Sequence, residues 1–461
     1  MNNKFTNAII VLLLMFGVFA CQKESPVLLP DELPKTADFD NEVALEWMQF
    51  YLEIERYTPG YRPPVSARAS AYICLAAYQA VVPGMAESYN SLQSTFPAMK
   101  LPEAESGQEY HWPTALHAAY SSIFSAFFPT APASMQQKLF ALKQKFNIEF
   151  GQTVPADVYK RSSDFGTAVA NAVYNWSKTD ASGHEAYLHN TDPSYQPPNF
   201  AGSWQPTYPD YSQALLPYWG QVRTFVASSD DNAPQPLPFS TDPTSQIYVQ
   251  AKEVKNLVNL IKGGQNYEDR WIANFWSDDC PILTFTPSGR WIAVTNQLIS
   301  TKKSSLDEAV YAYAKVCMAL SDSGVRCWNE KYKYNYLRPV DYIRQMMGDT
   351  EWNTVMCPDG SGNYFTPPFP AYPSGHATFG AAAAEVLTDV FGISTAMTDR
   401  CHEGRTEFIS TPRSFQSFYE MAEENAYSRI PLGVHFRMDA EAGLKLGYQI
   451  GRKVNRLPWK K

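Results

Sequence analysis

A chain of 461 residues, 45% of them hydrophobic, is long enough to bury one large core or two ordinary ones, which excludes a disordered protein. A formal net charge of −8 excludes nucleic acid and a general basic membrane patch as partners. Any local concentration of cations is therefore informative.

The chain opens with Met-Asn-Asn-Lys and a 13-residue apolar run from Ala8 to Ala20, the layout of a bacterial export signal too short to span a membrane. Residues 1–20 are set aside as a signal peptide. Val18-Phe19-Ala20-Cys21 resembles a lipoprotein processing site, with Cys21 as the acylated first residue. The expected location is the bacterial cell envelope, periplasmic or at the cell surface, with membrane contact only through that lipid anchor. Residues 21–35 suit a flexible tether. No later segment offers the ~18 uninterrupted apolar residues that a membrane span needs.

Residues 36–243 form an N-terminal helical region. Apolar positions recur at three- and four-residue spacing over Glu42–Tyr57, Ser66–Val82, Thr114–Phe128, Ser134–Phe150 and Asp164–Trp176. From about residue 180 to 242, Pro, Tyr, Trp, Asn and Ser crowd together, and each proline removes a donor and restricts its predecessor. Such a stretch cannot hold a helix, and its aromatics need something to pack on, so it is expected to wrap over the helices.

Residues 244–461 form the C-terminal helical, catalytic region. A helix over Thr244–Ile261 is followed by one that Ser305-x-x-Glu308 opens as a capping box. Its pattern runs on, with room for a break at Gly324, until Pro339 pushes Arg338 out of helical geometry. Little reads as strand, so the fold class is all-α, bundles of helices around one or two cores. After Cys21 come Cys74, Cys280, Cys317, Cys327, Cys357 and Cys401, some of which an exported protein can pair. On one continuous helix Cys317 and Cys327 stand ~15 Å apart, too far to bridge each other.

Three segments carry the chemistry. In Lys331-Tyr-Lys-Tyr-Asn-Tyr-Leu-Arg338-Pro339, Lys331 and Arg338 are expected about two helical turns apart on one face, where two cations can reach one anion. In Pro373-Ser374-Gly375-His376, Pro373 and Ser374 mark the start of an Ala-rich helix that Gly392 ends. The free N–H groups and dipole there favour an anion, and Gly375 lets an oxygen approach closely. His376 sits beside it with a pKa suited to moving protons. In Ser428-Arg429-x5-His435-x3-Asp439, Arg429 supplies a planar charged fork. His435 and Asp439 are expected at i and i+4 of the next helix, the carboxylate orienting the imidazole. Gly443, Gly447 and Gly451 continue that stripe and permit close helix packing. Each element alone has a bland reading, as a solvated face, a helix start or a structural histidine. Three cations, a helix N-terminus and two histidines together in an acidic chain do not.

Lys-x6-Arg-Pro, Pro-Ser-Gly-His and Ser-Arg-x5-His-x3-Asp resemble the three-part signature shared by vanadium-dependent haloperoxidases and the type 2 phosphatidic acid phosphatase superfamily. The likeness reaches back to Trp271, where Asn274-Phe-Trp-Ser-Asp278-Asp279 resembles the haloperoxidase segment whose aspartate pairs with the cage arginine, a role this gives to Asp279. It implies helical bundles of the vanadium haloperoxidase and acid phosphatase type. Lys331, Arg338, Ser374, Gly375 and Arg429 would bind vanadate or phosphate.

One cage serves two chemistries, because trigonal-bipyramidal vanadate mimics the five-coordinate state of phosphoryl transfer. The haloperoxidase resemblance implies vanadate as cofactor, hydrogen peroxide and halide as reactants and hypohalous acid as product. His435 would then ligate vanadium, His376 transfer protons, Lys331 polarise bound peroxide, and Phe369 and Trp328 line the halide side; the organic acceptor is open. The alternatives are an exported acid phosphatase working through a phosphohistidine, and a non-catalytic oxyanion-binding lipoprotein. The absence of a later membrane span, the long helical N-terminal region, Pro367-Pro-Phe-Pro-Ala-Tyr372 and Trp328 favour the haloperoxidase. His111, His117, His184, His189 and His402 fall outside the signature and default to surface or capping roles.

Overall fold

Val43, Ala44, Trp47, Met48, Tyr51 and Ile54 recur at helical spacing and are buried, which makes α1 (Glu42–Tyr57) an amphipathic helix with that stripe on the core. A computed structural model describes residues 33–357 and 364–461. The export signal, Cys21 and the tether up to residue 32 lie outside the described residues. Residues 34–461 form one compact unit.

Next come α2 (Pro63–Val81), α3 (Trp112–Phe127), α4 (Ala133–Thr153) and α5 (Ala156–Lys178). The second begins earlier than its apolar pattern, because Pro63 and Pro64 occupy the first helical positions, where a missing N–H is harmless. The stretch Pro63–Met85 is long and apolar enough to cross a membrane, yet its helix Pro63–Val81 is wholly buried inside the protein. It packs on α3 and α5 as a core helix. Residues 180–242 wrap over the helices as extended chain with single turns at Ala186–Leu188 and Trp219–Gln221. Trp204 and Trp219 sink into the core, and the buried Asp322 carboxylate accepts the N–H groups of Phe225, Val226 and Ala227 at 2.7, 2.7 and 2.8 Å.

The remaining helices are α6 (Gln246–Lys262), α7 (Tyr267–Phe275), α8 (Pro287–Lys302), α9 (Leu306–Tyr334), the single turn α10 (Pro339–Asp341), α11 (Gly375–Phe391), α12 (Phe418–Ser428) and α13 (Arg437–Asn455). The capping box opens α9 as expected, Ser305 N–H donating to Glu308 at 3.1 Å. The helix is not broken at Gly324. That glycine serves packing, since a Cβ there would meet the Phe379 ring at 3.2 Å. Packing of α9 on α2 joins the N-terminal helices to the C-terminal ones.

A two-stranded antiparallel hairpin, β1 (Met397–Asp399) with β2 (Arg413–Phe415), departs from the purely helical expectation. Three-residue strands are too short to show an alternating pattern. Cys280 and Cys357 form a disulfide, while Cys74, Cys317, Cys327 and Cys401 are free.

Gly443, Gly447 and Gly451 face α11 at backbone distance: a Cβ on Gly447 would lie 2.3 Å from the Thr378 carbonyl oxygen. Gly447→Ala is therefore expected to wedge α13 off α11 and to destabilise the fold by ~1–3 kcal/mol, read as a lower urea midpoint. An unchanged midpoint would show that the two helices part freely.

Candidate active site

The cage is built where α9 ends, α11 begins and α13 begins. Asn335 caps α9 in the left-handed conformation at φ 46°, and Pro339 holds Arg338 extended at φ −82°, ψ 156°. Lys331 and Arg338 therefore do not share one helical face, contrary to the expectation from their spacing. The helix ends between them, and they reach the site from different local backbone geometries. Ser374 is the N-cap of α11, its hydroxyl accepting Ala377 N–H at 3.4 Å, so the unbonded first-turn N–H groups at Gly375 and His376 point outward from the helix start. Its own N–H donates to the Asp439 carbonyl at 2.9 Å, tying α11 to α13.

His435 likewise is not on a helix. Phe436 is the N-cap of α13, and Asp439 lies in the first turn. One Asp439 oxygen accepts both Phe436 N–H at 3.0 Å and His435 Nδ1–H at 2.9 Å. A carboxylate that caps the helix thus orients the imidazole as well, leaving Nε2 with its lone pair facing Arg338 Nη1 at 3.2 Å. His376 donates from Nε2 to the Asp278 carbonyl at 3.2 Å, which leaves its Nδ1 as the proton acceptor.

Lys331 and Arg338 are 0% exposed and Arg429 is 1% exposed. Burial, the largest cause, holds Arg338 at about 10 and Arg429 at about 9, and lowers Lys331, with Arg338 adding to the effect. Burial and the Arg429 charge push His376 well below the usual histidine range; burial and the Arg338 charge do the same to His435, so both imidazoles are neutral. Burial raises Asp439. Three desolvated cations without a matching set of anions are costly unless an anion completes the site.

Their donors are partly spoken for. Lys331 Nζ donates to the Pro370, Ala371 and Pro373 carbonyls at 2.9, 2.9 and 2.6 Å, so its charge acts on the site from a fixed point. Arg338 spends Nε on the Phe369 carbonyl and Nη1 on the Val434 carbonyl, at 2.9 and 2.8 Å. Arg429 donates from Nη1 to the Trp276 carbonyl at 3.0 Å. Arg338 Nη2 and Arg429 Nε are buried without a partner among the described residues. Two orphaned guanidinium donors, a helix start and an imidazole lone pair make a donor set that fits a compact tetrahedral oxyanion such as vanadate or phosphate.

Phe369 and Trp328 are buried with ring centroids 4.9 Å apart. The Phe369 ring lies 5.0 Å from Lys331 Nζ and 4.9 Å from the Arg338 guanidinium, so this pair walls the cage itself. A Cβ on Gly375 would meet Trp328 at 3.5 Å. The wrapping segment fixes this wall, because the Leu215 carbonyl accepts from Trp328 Nε1 at 3.4 Å and from the Tyr332 hydroxyl at 2.6 Å.

Asp279 stands at φ 81°, a strained conformation for a side-chain-bearing residue. Its carboxylate ion-pairs with Arg62 at 3.5 Å, and it feels Arg429 and Arg338 through their charges. Behind it, Arg290 bridges Asp278 and Asp399, each at 2.9 Å, and His402 Nε2 lies 3.3 Å from Asp278. Sequence reasoning missed Arg62, Asp278, Arg290 and His402. Neither their partners nor their burial leaves a local signal, since Arg62 and Asp279 come from distant segments. His117 is also interior, 3.3 Å from Trp47 Nε1, whereas His111 caps α3 as a default histidine does.

A family model described as the VCPO second helical-bundle domain matches residues 311–458. The chain is 24% identical to the vanadium chloroperoxidase of Curvularia inaequalis, over 91% of this chain and 82% of that protein. It is similar to the crystal structure of the first bacterial vanadium-dependent iodoperoxidase, with a TM-score of 0.79 and 28% identity over 91% of this chain and 97% of that one. A holo-type bacterial vanadium-dependent chloroperoxidase shares the fold at a TM-score of 0.64 and 13% identity, over 85% of this chain and 91% of that one.

Proposed function

We infer, from the chain's likeness to a vanadium chloroperoxidase and a bacterial vanadium-dependent iodoperoxidase, that it is a vanadate-dependent haloperoxidase, oxidising halide with hydrogen peroxide to hypohalous acid. The observation that carries this reading is the buried cluster of Lys331, Arg338 and Arg429 around two neutral histidines, with orphaned donors on both arginines. Bound vanadate supplies a Lewis-acidic centre for activating peroxide.

In this reading Arg338 and Arg429 neutralise the oxyanion with their free N–H groups, and the first N–H groups of α11 add the helix dipole. His435 offers Nε2, and Asp439 holds it in the right tautomer. His376, neutral and with its proton parked on the Asp278 carbonyl, takes and returns protons through Nδ1. Lys331 contributes a fixed positive charge, and Phe369 and Trp328 exclude water from the halide side. Export and anchoring through Cys21 belong to the same proposal and rest on the apolar run before it.

The test is to load the metal-free protein with orthovanadate, then supply hydrogen peroxide, a phenolic indicator and chloride, bromide or iodide in turn. Halogenated indicator is expected. No turnover with any halide from acid to neutral pH, together with brisk hydrolysis of a phosphate ester, overturns the reading. His376→Ala is expected to keep its vanadium by metal analysis and to lose turnover by ~10²–10⁴-fold, the usual worth of a positioned acid–base group. Loss of vanadium in that variant would instead make His376 part of the holding set.

A further inference from the structure

Halide oxidation consumes a proton. Hydrogen peroxide, halide and one proton give hypohalous acid and water: the O–O bond breaks, the halide surrenders two electrons as the O–halogen bond forms, and the other oxygen leaves as water. That proton comes from solvent, yet the cage is buried and surrounded by cations, which repel protons. His376 is neutral there, so it passes protons on without storing them.

A cavity of about 270 Å³ is lined by Glu55, Arg62, Asp279 and Thr286, with the exposed Ile282 also on its wall. The Asp278–Asp279 pair has two faces. The Asp278 carbonyl receives His376 Nε2, while the Asp279 carboxylate turns to Arg62 and the cavity.

Glu55 is 1% exposed and has no cationic partner among the described residues; it is held by hydroxyls and one N–H. It accepts from Ser66 Oγ, from Thr286 N at 2.9 Å and from Thr286 Oγ1 at 3.0 Å. Around it stand Tyr51 and Arg56 of its own helix, Arg62 at the start of α2 and Asp279 in the loop before α8; α8 itself brings the Ser288 hydroxyl, bonded to Thr286. A buried carboxyl group held largely by hydroxyls, which can accept as well as donate, and lining a cavity with room for water, is suited to carry a proton rather than a permanent charge. Burial raises Glu55 to about 7 and Asp279 to about 6, so Glu55 exchanges its proton near neutrality while Asp279, beside Arg62, is largely ionised there.

The geometry points to the Glu55–Asp279 cavity as the port through which the protons consumed in turnover reach the cage past Asp279, which feels the Arg429 and Arg338 charges on one side and lines the cavity with Glu55 and Arg62, with Glu55 as the outer proton carrier and Arg62 as the residue that positions Asp279. This assignment rests on the haloperoxidase reading for the reaction that draws the protons.

Two variants of the vanadate-loaded full chain test it. Glu55→Gln keeps the shape and the acceptor for Thr286. It is expected to lower kcat about tenfold above pH 7 and less at pH 5, with KM for peroxide and halide unchanged, and small acids such as formic acid that fit the cavity should restore the rate. Ile282→Trp, at an exposed position on the cavity wall, should narrow the cavity and give the same pH-dependent loss without touching either carboxyl. A readout independent of turnover is the infrared spectrum of the metal-free protein. One carboxylic C=O band should shift in D2O and vanish in Glu55→Gln. An unaltered kcat–pH profile in both variants, a loss that acids do not restore, or a Glu55 band that stays unshifted in D2O overturns the port. Wild-type protein that binds vanadate but oxidises no halide sinks the haloperoxidase reading and the port with it, whereas an active wild type whose kcat–pH profile neither variant alters sinks the port alone.

Discussion

His435→Ala is expected to strip vanadium from the protein: after loading and desalting, metal analysis should find none where the wild type retains it. The side chain offers its Nε2 lone pair only because Nδ1 is engaged by Asp439 at 2.9 Å. Alanine removes the donor and leaves the cations to hold an oxyanion by charge alone, a hold that added phosphate or salt competes away. Asp439→Asn separates orientation from ligation. It keeps an oxygen for the Phe436 N–H, which lies 3.0 Å away, and removes the negative charge that fixes the imidazole. Retention should fall by ~10–100-fold, the usual worth of an outer partner, and by less than in His435→Ala. If His435→Ala keeps its vanadium through desalting, the holding group lies elsewhere in the cage.

That pair of variants also marks how far the sequence carries the site. The residue types and their order were legible, because an oxyanion cage needs cations, a helix start and imidazoles wherever the chain supplies them. Local geometry was legible only where it depends on neighbours a few residues away: α1 runs over the expected Glu42–Tyr57, Ser305 opens α9, and Gly392 ends α11 at φ 100°. The spacing of Lys331 and Arg338 misled, since Asn335 in the left-handed region turns the chain between them. The spacing of His435 and Asp439 misled in the opposite sense. Four residues apart suits a helix face, yet the same contact arises when the aspartate caps the helix and the histidine precedes it.

Contacts between distant segments left no sequence signal at all. Arg62 reads as one more polar residue before Pro63-Pro64, and only the folded chain sets it against the Asp279 carboxylate. The Cys280–Cys357 pairing is of the same kind: six cysteines after Cys21 leave many connectivities, and the fold selects one. Phe369 and Trp328 stood between core and site readings. Their placement over Lys331 and Arg338 removes the choice, because the wall of the cage is part of the core.

The second large effect is expected from Arg290, a residue with no part in the signature. Its guanidinium is 0% exposed, lies among Phe275, Trp276 and Phe285, and bridges the buried carboxylates of Asp278 and Asp399. Those two charges raise its own affinity for a proton, so it remains a cation in spite of burial. Arg290→Met fills the space but leaves two desolvated carboxylates unpaired, and breaking a buried pair in this way costs about 3–5 kcal/mol. Chemical denaturation at pH 8 should show that loss. The deficit should shrink toward pH 5: without the arginine, burial lifts both carboxyls above their unfolded-state values, the folded variant then binds more protons than the unfolded one, and acid favours the folded form. Arg290→Lys should recover only part of the stability, since a single ammonium cannot span both carboxylates as the fork does. The loss should reach the cage too. Asp278 gives its carbonyl to His376 and precedes Asp279, so a loop released from Arg290 lets both shift, and turnover of folded Arg290→Met should fall while its vanadium content holds. A variant as stable as the wild type at pH 8 would overturn the ion-pair account of this network.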